Sequence, residues 1–187
     1  RLNLERVPLQ ARSLSRNGVV GAFVCGTTGE GPSMTRDERC RLVEAWVTAA
    51  AGALKVIVHV GHASAAEARL LAEHAQQTGA DAIAAVAPNF FKPQRVDELV
   101  EWCAEVAAGA PRLPFYYYHI PSITHVVIPT AEFVAAARAR IPTLAGVKFT
   151  HEDLGDYAAT RAVAGTDYDI LFGRDELLLE GLRAGAT

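Results

Sequence analysis

The chain has 187 residues, half of them hydrophobic, with a formal net charge of −3 and a pI near 6.1. That suffices for a single domain with its own core, while a mildly acidic chain without a basic run argues against nucleic-acid or anionic-membrane partners. No apolar stretch approaches the roughly 18 residues of a membrane span. No secretory leader is readable, and three cysteines far apart (Cys25, Cys40, Cys103) suit a reducing cytoplasm better than a disulfide framework.

Taken in order, residues 2–17 read as a helix with Leu2, Leu4, Val7, Leu9 and Leu14 as its apolar positions, Pro8 as a potential kink and Asn17-Gly18 as its stop. Residues 19–25 form a β-rich run followed at once by Gly26-Thr27-Thr28-Gly29-Glu30-Gly31. Thr35 to Glu38 fits a capping box and opens a helix whose stripe is Leu42, Val43, Trp46 and Val47. A strand at 56–60 precedes a helix at 64–78, where Ser64 to Glu67 reads as a second capping box. The alternation continues with a strand at 82–87, helix 96–108, strand 114–119, helix 130–138, strand 144–150, helix 154–163, strand 170–172 and helix 176–183.

Six strands and seven helices exchanging in this way predict an α/β fold of parallel βα units, either an open doubly wound sheet or part of a (β/α)₈ TIM barrel. If Lys148 points inward, Gly146 and Thr150 share its face, while Val147 and Phe149 turn to the helices; Tyr116 and Tyr118 share a face of the preceding strand. Small or polar residues on one face and apolar residues on the other favour the barrel. Residues 1–187 then form one domain. The chain starts inside a helix and stops just after another, so it reads as a piece of a longer protein.

Lys148 stands out because it is one of only three lysines, and Lys55 and Lys92 both fall where they reach water. An ammonium buried in an apolar strand shifts toward the neutral amine, finds a carboxylate, or snorkels from the strand end. The first of these is what Schiff-base chemistry with a ketone requires. In a barrel, chemistry collects at the C-terminal ends of the strands, where Lys148, Tyr118 and the loop at 26–31 all fall. That loop lacks the P-loop lysine and the dinucleotide glycine spacing; its amides and hydroxyls suit a small anion such as a carboxylate, or form an ordinary turn. Tyr118 has a phenol suited to moving a proton on a carbonyl oxygen, although tyrosines also simply pack well in strands. His59 and His62 invite a zinc reading but have no obvious third ligand, and no metal site is expected. Asp175 and Glu176 either favour a helix start or accept hydrogen bonds from sugar hydroxyls.

With these residues in hand, the chain resembles the N-acetylneuraminate lyase (sialic acid aldolase) branch of the dihydrodipicolinate synthase superfamily, and most of all its animal-type members. The segments that carry the likeness are Gly26-Thr27-Thr28-Gly29-Glu30, Tyr118-His119-Ile120-Pro121, Gly146-Val147-Lys148-Phe149 and Gly173-Arg174-Asp175-Glu176. The resemblance implies a class I aldolase on a (β/α)₈ barrel that needs no cofactor. Lys148 forms the imine, Tyr118 relays protons with help from the Thr27 hydroxyl, and Thr27, Thr28 and Gly29 hold the substrate carboxylate. Thr150, Gly173, Asp175 and Glu176 meet the polyhydroxy chain. The implied partners are sialic acid and pyruvate, within a cytoplasmic homotetramer.

Synthases acting on aspartate semialdehyde usually carry an arginine where this chain has Ile123, which favours the lyase. The runners-up are another pyruvate aldolase or synthase, such as one acting on 4-hydroxy-2-oxoglutarate, and a non-catalytic pyruvate-binding fragment. Relative to the family, the first strand, the eighth strand and the C-terminal helices are missing. Two unpaired edges are therefore expected, with an active parent and a segment that alone folds poorly or is inactive.

Overall fold

The computed structural model describes residues 2–186. Six strands pair in sequence order into one parallel sheet: β1 (Gly21–Val24), β2 (Lys55–His59), β3 (Ala82–Val86), β4 (Phe115–His119), β5 (Leu144–Phe149) and β6 (Asp169–Phe172). The helices are α1 (Val7–Arg16), α2 (Arg36–Ala50), α3 (Ala65–Thr78), α4 (Val96–Ala107), α5 (Pro121–Thr124), α6 (Thr130–Ala137), α7 (Leu154–Ala164) and α8 (Leu178–Arg183). Consecutive strands that are neighbours and parallel need a crossover each time, and the helices supply it. No helix among the described residues is long and apolar enough to cross a membrane.

The two faces of the sheet differ as the alternation predicts. Val56, Val58, Ile83, Ala85, Phe115, Tyr117, Val147 and Phe149 are buried in one cluster with the helices' apolar residues. The opposite, inner face carries a smaller cluster of Ala82, Ala84 and Tyr116, with Phe23, Ile57, Ala145 and Leu171 against it. Each fully buried large side chain of the outer cluster contributes about 1.5–3 kcal/mol. Along β4 and β5 the register shifts by one between Phe115 and Tyr116: Phe115 faces Leu144, and Tyr116 faces Gly146. Ala145 is therefore the extra residue of a β-bulge.

Local chemistry explains most boundaries. Thr35 accepts from the Glu38 N–H while the Glu38 carboxylate takes the Thr35 N–H, so the first capping box is complete. The second is only half made. Ser64 accepts from the Glu67 N–H, but the Glu67 carboxylate pairs with Arg36 across two elements. Asp153 caps α7, and the Asp156 carboxylate accepts from the Thr130 N–H and hydroxyl, which locks α6 to α7.

Several expectations need correction. The first helix opens as a 3₁₀ turn (Leu4–Arg6) and becomes α-helical at Val7, which puts Pro8 in the first turn where its missing N–H costs nothing. Its buried positions are Val7 and Ala11, whereas Leu9 lies off that face and is exposed. The last helix likewise begins as a 3₁₀ turn (Asp175–Leu177). The short α5, with Pro121 at its first position, was not anticipated.

Candidate active site

β4 and β5 bring Tyr118 and Lys148 side by side as register partners on the inner face. The Lys148 Nζ donates to the Thr150 hydroxyl at 3.0 Å. It lies 3.9 Å from the centre of the Tyr118 ring and 5.0 Å from that of Phe23. Among the described residues no ion pair involves Lys148. Of the three environments open to it in the sequence, a carboxylate partner is therefore the one not found. The amine instead meets two aromatic rings and one hydroxyl.

Tyr118 is buried, and its phenol lies 3.4 Å from the Thr27 hydroxyl. Its ring packs edge-to-face with Phe23, at 5.2 Å between centroids, and with His59, at 5.8 Å. Edge-to-face packing of this kind fixes ring orientation as well as burying area.

The loop from β1 to α2 is bent by two non-glycine residues in the left-handed region, Cys25 and Glu30, with φ of 61° and 54°. Such a conformation costs about 1–2 kcal/mol per residue and persists only where its surroundings impose it. Gly31 closes the bend: a Cβ there would stand 1.9 Å from the Cys25 carbonyl oxygen. The loop's own hydrogen bonds run from Glu30 N to Thr27 O and from Gly31 N to Gly26 O, and use none of the Thr27, Thr28 or Gly29 amides. Thr27, Thr28 and Gly29 are exposed.

At the end of β6, a Cβ on Gly173 would lie 2.5 Å from the Thr150 hydroxyl and 3.0 Å from the Lys148 Nζ. Only a glycine leaves that side of the amine open. Asp175 and Glu176 are exposed on the 3₁₀ turn beyond. Arg174 pairs with Glu152 and, at 3.5 Å, with Glu176. The structure thus gathers Lys148, Tyr118, Thr27, Thr150 and Gly173. It leaves Thr28 and Gly29 on the loop and Asp175 and Glu176 at the outer edge, without hydrogen bonds to the others.

The histidines separate. His59 is buried on the inner face with Nδ1–H donating to the Cys25 carbonyl at 2.9 Å. Burial, aided by the positive charges of Arg39 and Lys148, lowers its pKa to about 3. His62 is exposed and accepts from the Ser64 N–H, so the two do not share a site. No group of three or more His, Cys, Asp or Glu side chains suited to a metal ion occurs among the described residues. His119 turns to the helix side beside Tyr117 and Phe149, where burial lowers its pKa to about 4. Phe90 and Phe91 are exposed and pack edge-to-face on each other.

Sequence reading did not place Phe23 and Arg39 around the site, and it considered His59 only as a metal ligand at a strand end. Phe23 was within reach, since alternation along β1 sets it opposite to Val24. Arg39 lies four residues before Val43 and so on the buried stripe of α2, which is unusual for an arginine.

The sequence profile of the family described as "Dihydrodipicolinate synthetase family" matches residues 2–187. Among curated relatives, the N-acetylneuraminate lyase of Sus scrofa is 46% identical over 172 residues, covering 91% of this chain and 54% of the relative. That of Homo sapiens is 46% identical over 176 residues, covering 93% and 55%. Among solved structures, Proteus mirabilis N-acetylneuraminate lyase superposes with a TM-score of 0.96 at 42% identity, covering 99% of this chain and 62% of that one. Dihydrodipicolinate synthase from Aquifex aeolicus gives 0.91 at 30% identity, covering 98% and 62%. The chain spans about half the length of the curated relatives it matches. It belongs to the dihydrodipicolinate synthetase family.

Proposed function

We propose that this chain carries the reactive centre of a class I aldolase that cleaves N-acetylneuraminate to N-acetylmannosamine and pyruvate. The observation that carries the reading is the seating of Lys148: an amine with no carboxylate partner among the described residues, under a phenol that itself reaches the Thr27 hydroxyl. The relatives named N-acetylneuraminate lyase support the choice of substrate.

In this reading the Lys148 amine attacks the C2 keto carbon of the open-chain sugar, and the carbinolamine hydroxyl leaves as water with a proton from the Tyr118 phenol, giving a protonated imine and the Tyr118 phenolate. Tyr118 takes the proton from the C4 hydroxyl as the C3–C4 bond breaks. The bonding pair flows into the imine, leaving an enamine and releasing the aldehyde. Proton return to C3 and hydrolysis free pyruvate and the amine. The Thr27, Thr28 and Gly29 amides and hydroxyls hold the substrate carboxylate. Thr150 and Gly173 border the amine, and Asp175 and Glu176 reach the sugar hydroxyls.

We also place residues 1–187 as one part of a (β/α)₈ barrel in which the family's first and eighth strands and its C-terminal helices lie outside the chain. β1 and β6 each pair on one side only. Val20 is 82% exposed, and Leu178, Leu179 and Leu182 are each about half exposed. These apolar surfaces support further elements packing there in the intact protein, which we place as a homotetramer in the cytoplasm.

The test is borohydride reduction of the intact protein with pyruvate, followed by intact mass and peptide mapping. A reduced pyruvyl adduct on Lys148, absent from Lys148→Ala, is expected. A folded, unmodified protein would rule the aldolase out.

A further inference from the structure

Arg39 is 2% exposed, and burial of that kind strips a guanidinium of its water at a cost that hydrogen bonds must offset. No carboxylate pairs with it among the described residues. Its neighbour the Cys25 thiol is pushed up in pKa by burial, so it supplies no counter-charge. The guanidinium instead spends two donors on backbone carbonyls at the end of β2: Nη1 to Gly61 O at 3.0 Å and Nη2 to His59 O at 2.5 Å. Its Nε has no partner among the described residues. A leucine would complete the buried stripe of α2 without any of these costs.

What the charge holds is a chain of contacts leading to the site. From the clamped end of β2, His59 donates Nδ1–H to the carbonyl of Cys25, the residue held at φ 61°. Two residues on is Thr27, whose hydroxyl is 3.4 Å from the Tyr118 phenol. The His59 ring also lies edge-to-face with the Tyr118 ring, the two planes at 88°. One imidazole therefore touches both the strand end that launches Thr27 and the ring that carries the phenol. At 3.4 Å the two hydroxyls sit at the long limit of hydrogen bonding, so a few tenths of an ångström decide whether they are coupled.

We propose that Arg39 and His59 form a buried brace that sets the distance between the Thr27 hydroxyl and the Tyr118 phenol, and so act as positioning residues for proton transfer. This rests on the aldolase reading above. The depressed pKa of His59 fits the role, because a neutral ring with its proton on Nδ1 is what the Cys25 carbonyl requires.

The experiment uses the intact protein and the variants Arg39→Met, Arg39→Lys and His59→Asn, with Val43→Ala as a packing control from the same helix. Two quantities are read per active site, with sites counted by the borohydride-trapped pyruvyl adduct. One is kcat and KM for sialic acid cleavage; the other is loss of the pyruvate methyl protons in D₂O by NMR. Arg39→Met is expected to lower kcat and methyl exchange together by about 30- to 100-fold with KM held within about 3-fold, as misplacement of a relay predicts. Arg39→Lys, which can still reach one carbonyl, recovers most of that loss. Val43→Ala lowers the Tm and leaves kcat alone. Should Arg39→Met fail to fold, His59→Asn carries the test; it keeps an N–H near the Cys25 carbonyl but removes the ring edge, and about a 10-fold fall in kcat at constant KM is expected. Unchanged kcat in the folded variants, or a loss matched by Val43→Ala, overturns the brace alone. A wild-type protein with neither adduct nor exchange overturns the aldolase reading and the brace with it.

Discussion

The β1–β5 part of the inner face and the β6–α8 part are built to different standards. In the first, Phe23, His59, Tyr118 and Lys148 are in ring or amine contact, on strands that mostly pair on both sides. In the second, every residue of β6 is at least partly exposed, Asp175 and Glu176 face solvent, and Arg174 bridges Glu152 and Glu176 at the surface. The difference fits the roles proposed for the two parts. A bond to a carbon atom needs reacting groups held within tenths of an ångström, which only a packed surround supplies. Hydrogen bonds to a polyhydroxy chain tolerate longer, wetter geometry.

The harshest probe of the contrast is Lys148→Ala in the intact protein. Turnover should fall by on the order of 10⁴-fold or more, with no pyruvyl adduct, because no other group can form the imine. Lys92→Ala, on an exposed turn, should change nothing measurable in the same assay. Packing gives the next test. Phe149 is fully buried against Tyr157 and Phe172, so Phe149→Ala should cost about 3–5 kcal/mol in urea unfolding of this chain. Leu178→Ala, at a position 50% exposed, should stay within about 0.5 kcal/mol. Equal losses at the two sites would erase the distinction.

Acid should also act on the assembled part. The folded pKa values of His59 and His119, about 3 and about 4, lie below that of a free imidazole. The unfolded chain therefore binds protons that the folded chain refuses, and stability falls as pH drops. Between pH 7 and 5 each histidine should remove about 2 kcal/mol, a loss that begins near pH 6.5 and levels off only below the folded values. Urea unfolding at the two pH values checks it, and His119→Phe should remove about half of this imidazole contribution. The mildest expected effect is at the edge: Glu176→Gln should raise the KM for sialic acid by about 3- to 10-fold, near 1 kcal/mol, and leave pyruvate trapping unchanged. A matching loss in trapping would mean the two parts are not separable.

The strands were legible because alternation along Phe115 to His119 and around Lys148 is a local property. The same holds for Thr35 and Glu38, which cap each other within one turn. The failures came where a partner lay far off in sequence. Glu67 fits a capping box by spacing, but Arg36, on another helix, takes its carboxylate. Arg39 breaks the apolar stripe of α2 for the sake of carbonyls on β2, and no helical pattern shows that. Leu9 counts among the apolar positions of α1, although Val7 and Ala11 define its buried line. In the candidate site, Lys148, Tyr118 and the strand-end place of His59 are readable from strand position, whereas Phe23 and the contact of His59 with Tyr118 need the sheet to be assembled.

The bulge in β5 works as a half-beat in a two-beat rhythm. With Ala145 in place, Lys148 lies opposite Tyr118 and Val147 opposite Tyr117. If Ala145 instead paired with Tyr116, Phe115 and Leu144 would keep their match and everything beyond would slip by one. Val147 would then sit opposite Tyr118, and the amine would turn into the apolar layer beneath the helices. The address of the Lys148 nitrogen is thus kept by the bulge upstream of it. Drawing that alanine into the ladder would move Lys148 off the inner face without changing the lysine itself.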